Sequence, residues 1–314
     1  DQGRHEAHEV ATGSRRMNQI AAILIDGIIY SSWLFVIAVG LTLIYGVMKI
    51  LNVAHGSLYA LGAYAATAFG GYWIAHGYPP LGSYGMLVVA AIAVGLIAGP
   101  LIERGLLRLV YGKEEVVLVL VTYGVFLILE DLTKLAFGVD PRSIPQPYGL
   151  LGSIEVGDLI YPTYSLVLVL LSVVVGIGVA MTLNRTRHGK ILQAVIHDRE
   201  MAAATGIDVN RVYLVTFTIG TALAALGGAL TAPTISVQPG IAAEVIVLAF
   251  AVVVIGGLGS LGGAALGALI VGMVRAWAVH KWPEVELFSV YAVMAAVLVM
   301  RPKGLFAVPE ARKI

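Results

Sequence analysis

The sequence contains no cysteine, which excludes disulfides, thiolate metal sites and cysteine nucleophiles. Charge is scarce: 12% of the 314 residues are Asp, Glu, Lys or Arg, about half the share of an average soluble domain. Between Ile50 and Ile102 there is none at all. A hydrocarbon core roughly 30 Å thick needs only about 20 mostly apolar residues per crossing, so this stretch alone must cross twice. The net charge of +1 gives no sign of a nucleic-acid surface or a polybasic lipid-binding patch. Also missing is a phosphate-binding Gly-x-x-x-x-Gly-Lys-Ser/Thr loop. Gly112-Lys113 has the wrong glycine spacing from Gly105, and Glu114 stands where Ser or Thr is needed. Any ATP-driven mechanism would therefore have to reach the chain through a docked partner.

What is present is apolar. Hydrophobic residues make up 59% of the sequence. Runs that read as membrane spans lie near Ile20–Met48, Val53–Ala75, Tyr84–Leu107, Val116–Phe137, Pro162–Leu183, Val212–Ala232, Ile241–Leu258, Leu261–His280 and Leu287–Met300. Unpaired backbone groups are costly in lipid and no barrel-type alternation is visible, so the expected fold is all-α: a polytopic transmembrane helix bundle of eight to ten spans. Residues 20–306 form the membrane domain in this reading. Residues 1–19 are a polar extension that need not be native, since Met17 before a hydrophobic run reads as a start and Asp1–Arg16 has no apolar core of a signal peptide. Residues 307–314 are a tail.

Lys and Arg in short loops set the orientation. Arg104, Arg108 and Lys113 follow the third run, Arg185, Arg187, Lys190 and Arg199 the fifth, and Arg301, Lys303, Arg312 and Lys313 the last. These loops and the C-terminus are expected in the cytoplasm, which puts the N-terminus outside if there are nine spans.

Two polar or glycine-rich breaks interrupt the apolar pattern. From Gly256 to Gly267 six of twelve positions are glycine, within thirty uncharged residues from Val245 to Val274. One helix of that length would measure about 45 Å, too long for the bilayer, so the chain breaks or turns there. It is either a tight turn between two helices packed through small residues or a discontinuous helix lining a pathway. Near the other end Asn52, His55 and Ser57 surround a helix start. His55 reads as a side chain bonded at a helix end or as a pathway group, and Ser57 as an N-cap. Under the pathway reading the candidate substrate-contacting residues are Asn52, His55, Gly56, Ser57, Gly256, Gly257, Gly259 and Ser260. No metal ligand set or cofactor site is expected.

Gly189–Arg211 is the only extended amphipathic stretch outside the spans, with Leu192, Val195, Ile196, Met201 and Ala202–Ala204 as an apolar stripe and Gly206 as a natural stop. Such a segment lies on the membrane, docks into a partner's groove, or covers the bundle.

Four motifs in order then resemble one family: Leu43–Met48 with Asn52–Gly56, Ala194–Gly206, Val254–Ser260, and Arg301–Phe306. Over about Ile20–Phe306 the chain resembles the LivH-type permeases of bacterial branched-chain amino acid ABC importers. That resemblance implies a multi-pass protein of the bacterial plasma membrane that hydrolyses nothing itself. It also implies a second, LivM-like permease, two cytoplasmic LivG/LivF-like ATPases that bind the ATP, and a periplasmic substrate-binding protein. Glu200, Ala202, Ala203 and Gly206 look like a version of the Glu-Ala-Ala then Gly loop that ABC permeases insert into their ATPases, here with Met201 interposed. Ala194 and Asp198 complete the implied cytoplasmic coupling helix. Related permeases take urea, amides, or aromatic and other carboxylates. A different class, an ion-coupled transporter, would use Asp26, Glu130, Asp131 and Glu244, all of which lie near span ends. A hydrolase pairing His55 with Ser57 is disfavoured, because residues two apart on a helix do not face each other.

Overall fold

With no water to satisfy them, backbone N–H and C=O groups inside a bilayer must pair with one another, and each apolar run does so as a helix. The fold, taken from a computed structural model, describes residues 2–306, with side chains from Met17 onward. The 307–314 tail and the proposed start at Met17 therefore lie outside, or at the limit of, what is described.

In chain order the elements are α1 (Gln2–Met48), α2 (His55–Ala75), α3 (Gly82–Ile102), which continues through a π-helical turn (Glu103–Leu107) into α4 (Arg108–Val110), and α5 (Glu115–Phe137). A short α6 (Gln146–Gly149) and an antiparallel hairpin, β1 (Ser153–Val156) with β2 (Leu159–Pro162), precede α7 (Thr163–Arg185). Then come α8 (Arg187–His197), α9 (Arg199–Ala204), α10 (Val209–Thr231), α11 (Ile241–Gly256), α12 (Leu261–Lys281) and α13 (Glu286–Met300). The architecture is a polytopic helical bundle. The bundle is all-helical as expected apart from this small hairpin, which occupies the loop between the fourth and fifth long helices, where Gly152 and Gly157 take positive φ angles.

All nine apolar runs become helices. Seven helices among the described residues are long and apolar enough to cross a membrane. The other two runs are α11, apolar but only 16 residues, and α2, which is rich in Gly, Ala and Tyr. α2 need not be greasy because it is surrounded by protein: thirteen of its residues, including His55, Tyr59 and Tyr64, are buried. By contrast α7 and α13 expose Leu170, Val173, Ile177, Phe288 and Val299, as a lipid-facing rim requires.

α10 is the hub, packing on α1, α2 and α3. Between lipid-embedded helices small residues allow close backbone approach, and here they are indispensable. A Cβ at Gly228 would run into the Tyr59 carbonyl oxygen, and one at Gly62 into the backbone of Ala225. Pro100 and the π turn after it interrupt the regular hydrogen-bond ladder of α3 before the chain leaves the bundle.

The ends of α1, α3 and α13 that lead into basic residues gather on one side with α8 and α9. Val47, Met48, Ile102, Leu107, Val195 and Ala202 share one buried cluster there. The 301–306 segment joins them by donating backbone N–H bonds from Leu305 to Ile255 O (3.0 Å) and from Phe306 to Gly256 O (2.9 Å). This side is called the basic end below. At the opposite end Arg142 and Val237 exchange two backbone hydrogen bonds, and Glu130 accepts from Gly240 N–H at 2.8 Å.

The α2–α10 contact yields a first prediction. Gly228→Val should abolish the monodisperse peak of detergent-purified protein in size-exclusion chromatography. Gly178→Ala, at a position on α7 with open space around it, should leave the peak intact and the melting temperature equal or higher, in line with the roughly 1 kcal/mol helix preference of alanine.

Candidate functional site

α1 ends where Lys49 adopts a left-handed conformation (φ 56°), unusual for a residue with a side chain. From there the chain re-enters the bundle without helical structure. His55, the first residue of α2, reaches Ile37 O through Nε2 (3.0 Å). Ile37 lies eleven residues before the end of α1, about 16 Å at 1.5 Å per residue. α2 thus starts at mid-depth.

Such an unwound stretch is tolerated only where protein supplies its hydrogen bonds. Thr122 on α5 does part of this: its hydroxyl accepts from Val53 N–H (3.2 Å) and lies 3.2 Å from Leu51 O. Ser57 is not an N-cap; its hydroxyl donates to Phe126 O at 3.1 Å and ties α2 to α5. Both polar atoms of the wholly buried Asn52 side chain and Nδ1 of His55 have no protein partner. Gly56 has the backbone of Ala242 against it.

The glycine break behaves as a tight turn between packed helices. Gly257 and Gly259 take φ of 106° and 81°, Ser260 caps α12 by accepting from Gly263 N–H (3.0 Å), and Gly256 and Gly263 touch backbone to backbone. The eight proposed pathway residues therefore form two separate groups. Asn52, His55, Gly56 and Ser57 sit among α1, α5 and α11, while Gly256, Gly257, Gly259 and Ser260 sit at the basic end beside Gly46 and Phe306. Neither group lines the cavities described next.

The segment read as one coupling helix is two, α8 and α9, parted at Asp198, which takes an extended conformation and caps α9 by accepting from Met201 N–H (2.9 Å). Ala194, Asp198, Glu200, Ala203 and Gly206 are exposed; Ala202 is buried and packs into the bundle. Arg199 lies over the Tyr213 ring (5.6 Å), which meets Tyr111 edge-on, and Tyr111 donates to Glu103 at 2.7 Å. Glu103 is a buried carboxylate that the sequence reading passed over. Burial, then the bond to Glu103, pushes the Tyr111 hydroxyl well above the usual phenol range.

Toward the end opposite the basic one, two adjoining cavities of about 400 and 280 Å³ share Tyr30, Trp33, Thr234 and Arg275 as walls. The larger also has Tyr59, Ile241, Glu244 and Val245. Tyr30 and Trp33 stand edge to face at 4.8 Å, and Tyr59 bonds Thr231 at 2.6 Å. Arg275 stacks on Tyr30, 3.7 Å from its centroid, and forms an ion pair with Glu286. Asp26 and His280 meet at 2.7 Å beside the smaller cavity. Of the acids considered in the sequence, Asp26 meets His280, Glu130 holds Gly240, Asp131 bridges to Lys134 (3.3 Å), and Glu244 faces the larger cavity with no ion-pair partner among the described residues. The signal that sequence reasoning missed was Arg275, the sole charge in the run Leu261–His280; a charge inside a span is a functional pointer by default.

A bundle that keeps an unwound segment and charged cavities inside an apolar rim is a multi-pass membrane protein built around a polar interior. The chain belongs to the family described as branched-chain amino acid transport system / permease component, whose model matches residues 23–300. It is 27% identical over 300 residues to the high-affinity branched-chain amino acid transport system permease protein BraD of Pseudomonas aeruginosa, covering 93% of this chain and 97% of that one. It is 28% identical over 302 residues to the corresponding protein LivH of Escherichia coli K12, covering 93% and 96%. To LivM of Salmonella typhimurium, another permease protein of such a system, it is 26% identical over 296 residues, covering 86% and 67%. Among solved structures it is similar, at 12% identity and a TM-score of 0.48 over 94% of each chain, to PsaBC from Streptococcus pneumoniae in complex with Fab.

The unwound segment yields a second prediction. Thr122→Val keeps the shape but removes the hydroxyl that serves Val53. It should lower the unfolding free energy of the purified protein by about 1–3 kcal/mol, the usual cost of stranding a buried polar group, as read by denaturant titration.

Proposed function

We propose that this chain is a membrane-spanning permease subunit of an ATP-driven importer that carries branched-chain amino acids into a bacterial cell. The observation that carries the reading is the family match across nearly the whole membrane domain, with relatives of near-equal length named for that transport. Similarity to both LivH and LivM supports a second, homologous permease as partner.

The remaining parts follow from physical argument. The chain crosses nine times; α2 together with the unwound 49–54 stretch counts as one crossing, and α11 as a short one. The basic end faces the cytoplasm, since positively charged short loops stay on that side. The periplasmic binding protein delivers substrate to the opposite end, where the cavities open. Two cytoplasmic ATPases dock on the α8–α9 elbow and bind the nucleotide. Ala194, Glu200, Ala203 and Gly206 are the contact side of that elbow, because they are exposed while Val195 and Ala202 are sunk in the bundle. Movement of the elbow reaches the membrane helices through that buried side and through the Arg199–Tyr213–Tyr111–Glu103 chain. This places coupling and substrate contact at different ends of the molecule.

Ala203→Trp tests the docking assignment. Its side chain points into solvent, so the bundle should keep its melting temperature, whereas ATPase co-purification and ATP-driven leucine uptake by the reconstituted importer should fall about tenfold or more, as for disrupting a central interface contact. Wild-type assembly and uptake in that variant would remove α9 from the interface. A Gly206 variant is less clean, because φ is 89° there and any side chain adds backbone strain.

A further inference from the structure

The geometry points to the larger cavity opposite the basic end as the place where this chain holds the zwitterionic head of an amino acid, Arg275 taking the carboxylate and Glu244 the ammonium group. The inference rests on the reading of the chain as an amino acid permease subunit and adds to it a located binding site.

The cavity, about 400 Å³, falls within the range of small-ligand sites. Its walls carry one cation and one unpaired anion that do not meet: Glu244 projects from the first turn of α11, Arg275 from α12, and no ion pair joins Glu244 to any cation among the described residues. Opposite charges facing one cavity across a gap suit a ligand that carries both signs. They also discriminate against ligands that carry one, because the missing group leaves a wall charge with no partner.

Arg275 is held in place without being used up. Tyr30 supports the guanidinium face and Glu286 engages Nη2, while the buried Nε has no acceptor, so the carboxylate would be met by the guanidinium edge that lines the cavity. A guanidinium with spare planar donors is suited to a carboxylate. On the other side, an ammonium near Glu244 would have the Trp33 and Tyr59 rings close by for cation–π attraction. Ile241 and Val245, one turn apart on α11, give an apolar wall for an aliphatic side chain. The aromatic residues come from α1 and α2, and the charges from α11 and α12, so the site spans the two halves of the sequence.

The test uses the purified importer complex in nanodiscs, without the binding protein, and radiolabelled L-leucine with two competitors. One competitor is 4-methyl-2-oxopentanoate, which lacks the ammonium; the other is 3-methylbutylamine, which lacks the carboxylate. Wild type should bind leucine at least about tenfold better than either competitor, the margin expected from losing one charge-assisted contact. Glu244→Gln, at an exposed residue with no structural partner, should weaken leucine about tenfold and leave the oxo acid unchanged. Arg275→Lys should weaken leucine while leaving the amine unchanged. Leucine binding by Glu244→Gln equal to wild type, or an amine that competes as well as leucine itself, would overturn the site while leaving leucine transport, and so the permease reading, intact. If the complete importer with binding protein and ATPases carries no neutral amino acid, the transport reading fails and this inference fails with it.

Discussion

The structure depends on keeping a stretch of unpaired backbone away from lipid. Once α1 stops at Lys49, the chain must travel to mid-depth with several amides and carbonyls outside any helical ladder, and no hydrocarbon surface can accept it. Wrapping it requires α1 on one side and α5 on another, with α11 closing on Gly56. That requirement makes α2 an interior helix, which in turn allows α2 to be built of glycine, alanine and tyrosine instead of leucine. Interior glycines then let α10 approach within backbone contact, and the hub follows. Buried Asn52 and His55 are part of the same arrangement: polar atoms at an unwound corner, well hidden from lipid, with hydrogen-bonding capacity left over.

Membrane residence and the helical character of the apolar runs could be read from the sequence because lipid imposes a one-dimensional rule. A run such as Thr163–Arg185 or Leu261–Lys281 must be a helix of a certain length whatever surrounds it. Less visible was what depends on neighbours. Nothing in Lys49–Ala54 announces that it folds back to mid-depth; Asn52 and His55 drew notice as polar residues at a helix start, but the depth at which that start lies is set by Ile37 and Thr122, distant in sequence. The glycine cluster at 256–263 was recognised as a break, but the turn geometry it takes depends on the close fit of α11 on α12, which no local pattern announces. Asp198 carried a usable signal as an N-cap type residue three positions before Met201, yet amphipathic periodicity ran across it and masked the division of α8 from α9.

The cavity walls were the least legible part. Tyr30, Trp33 and Tyr59 are ordinary apolar-helix residues singly, and only the packing of both α1 and α2 on α10 and α11 brings them to one surface. Arg275 was conspicuous by position but hidden by attention to acids; its ring support and its Glu286 partner explain how a cation persists within an apolar helix. Glu103 shows the same logic at the other end, where a phenol hydroxyl from the following loop makes a buried carboxylate tolerable.

One bond pair reaches further than its size suggests. The N–H groups of Leu305 and Phe306 complete the last carbonyls of α11, a helix made well before them as the ribosome proceeds. Until that segment emerges, α11 and α12 are inserted with open acceptors and a hinge of glycines between them. The basic end is thus latched only once the segment beyond α13 has been made, after every helix that α11 packs against.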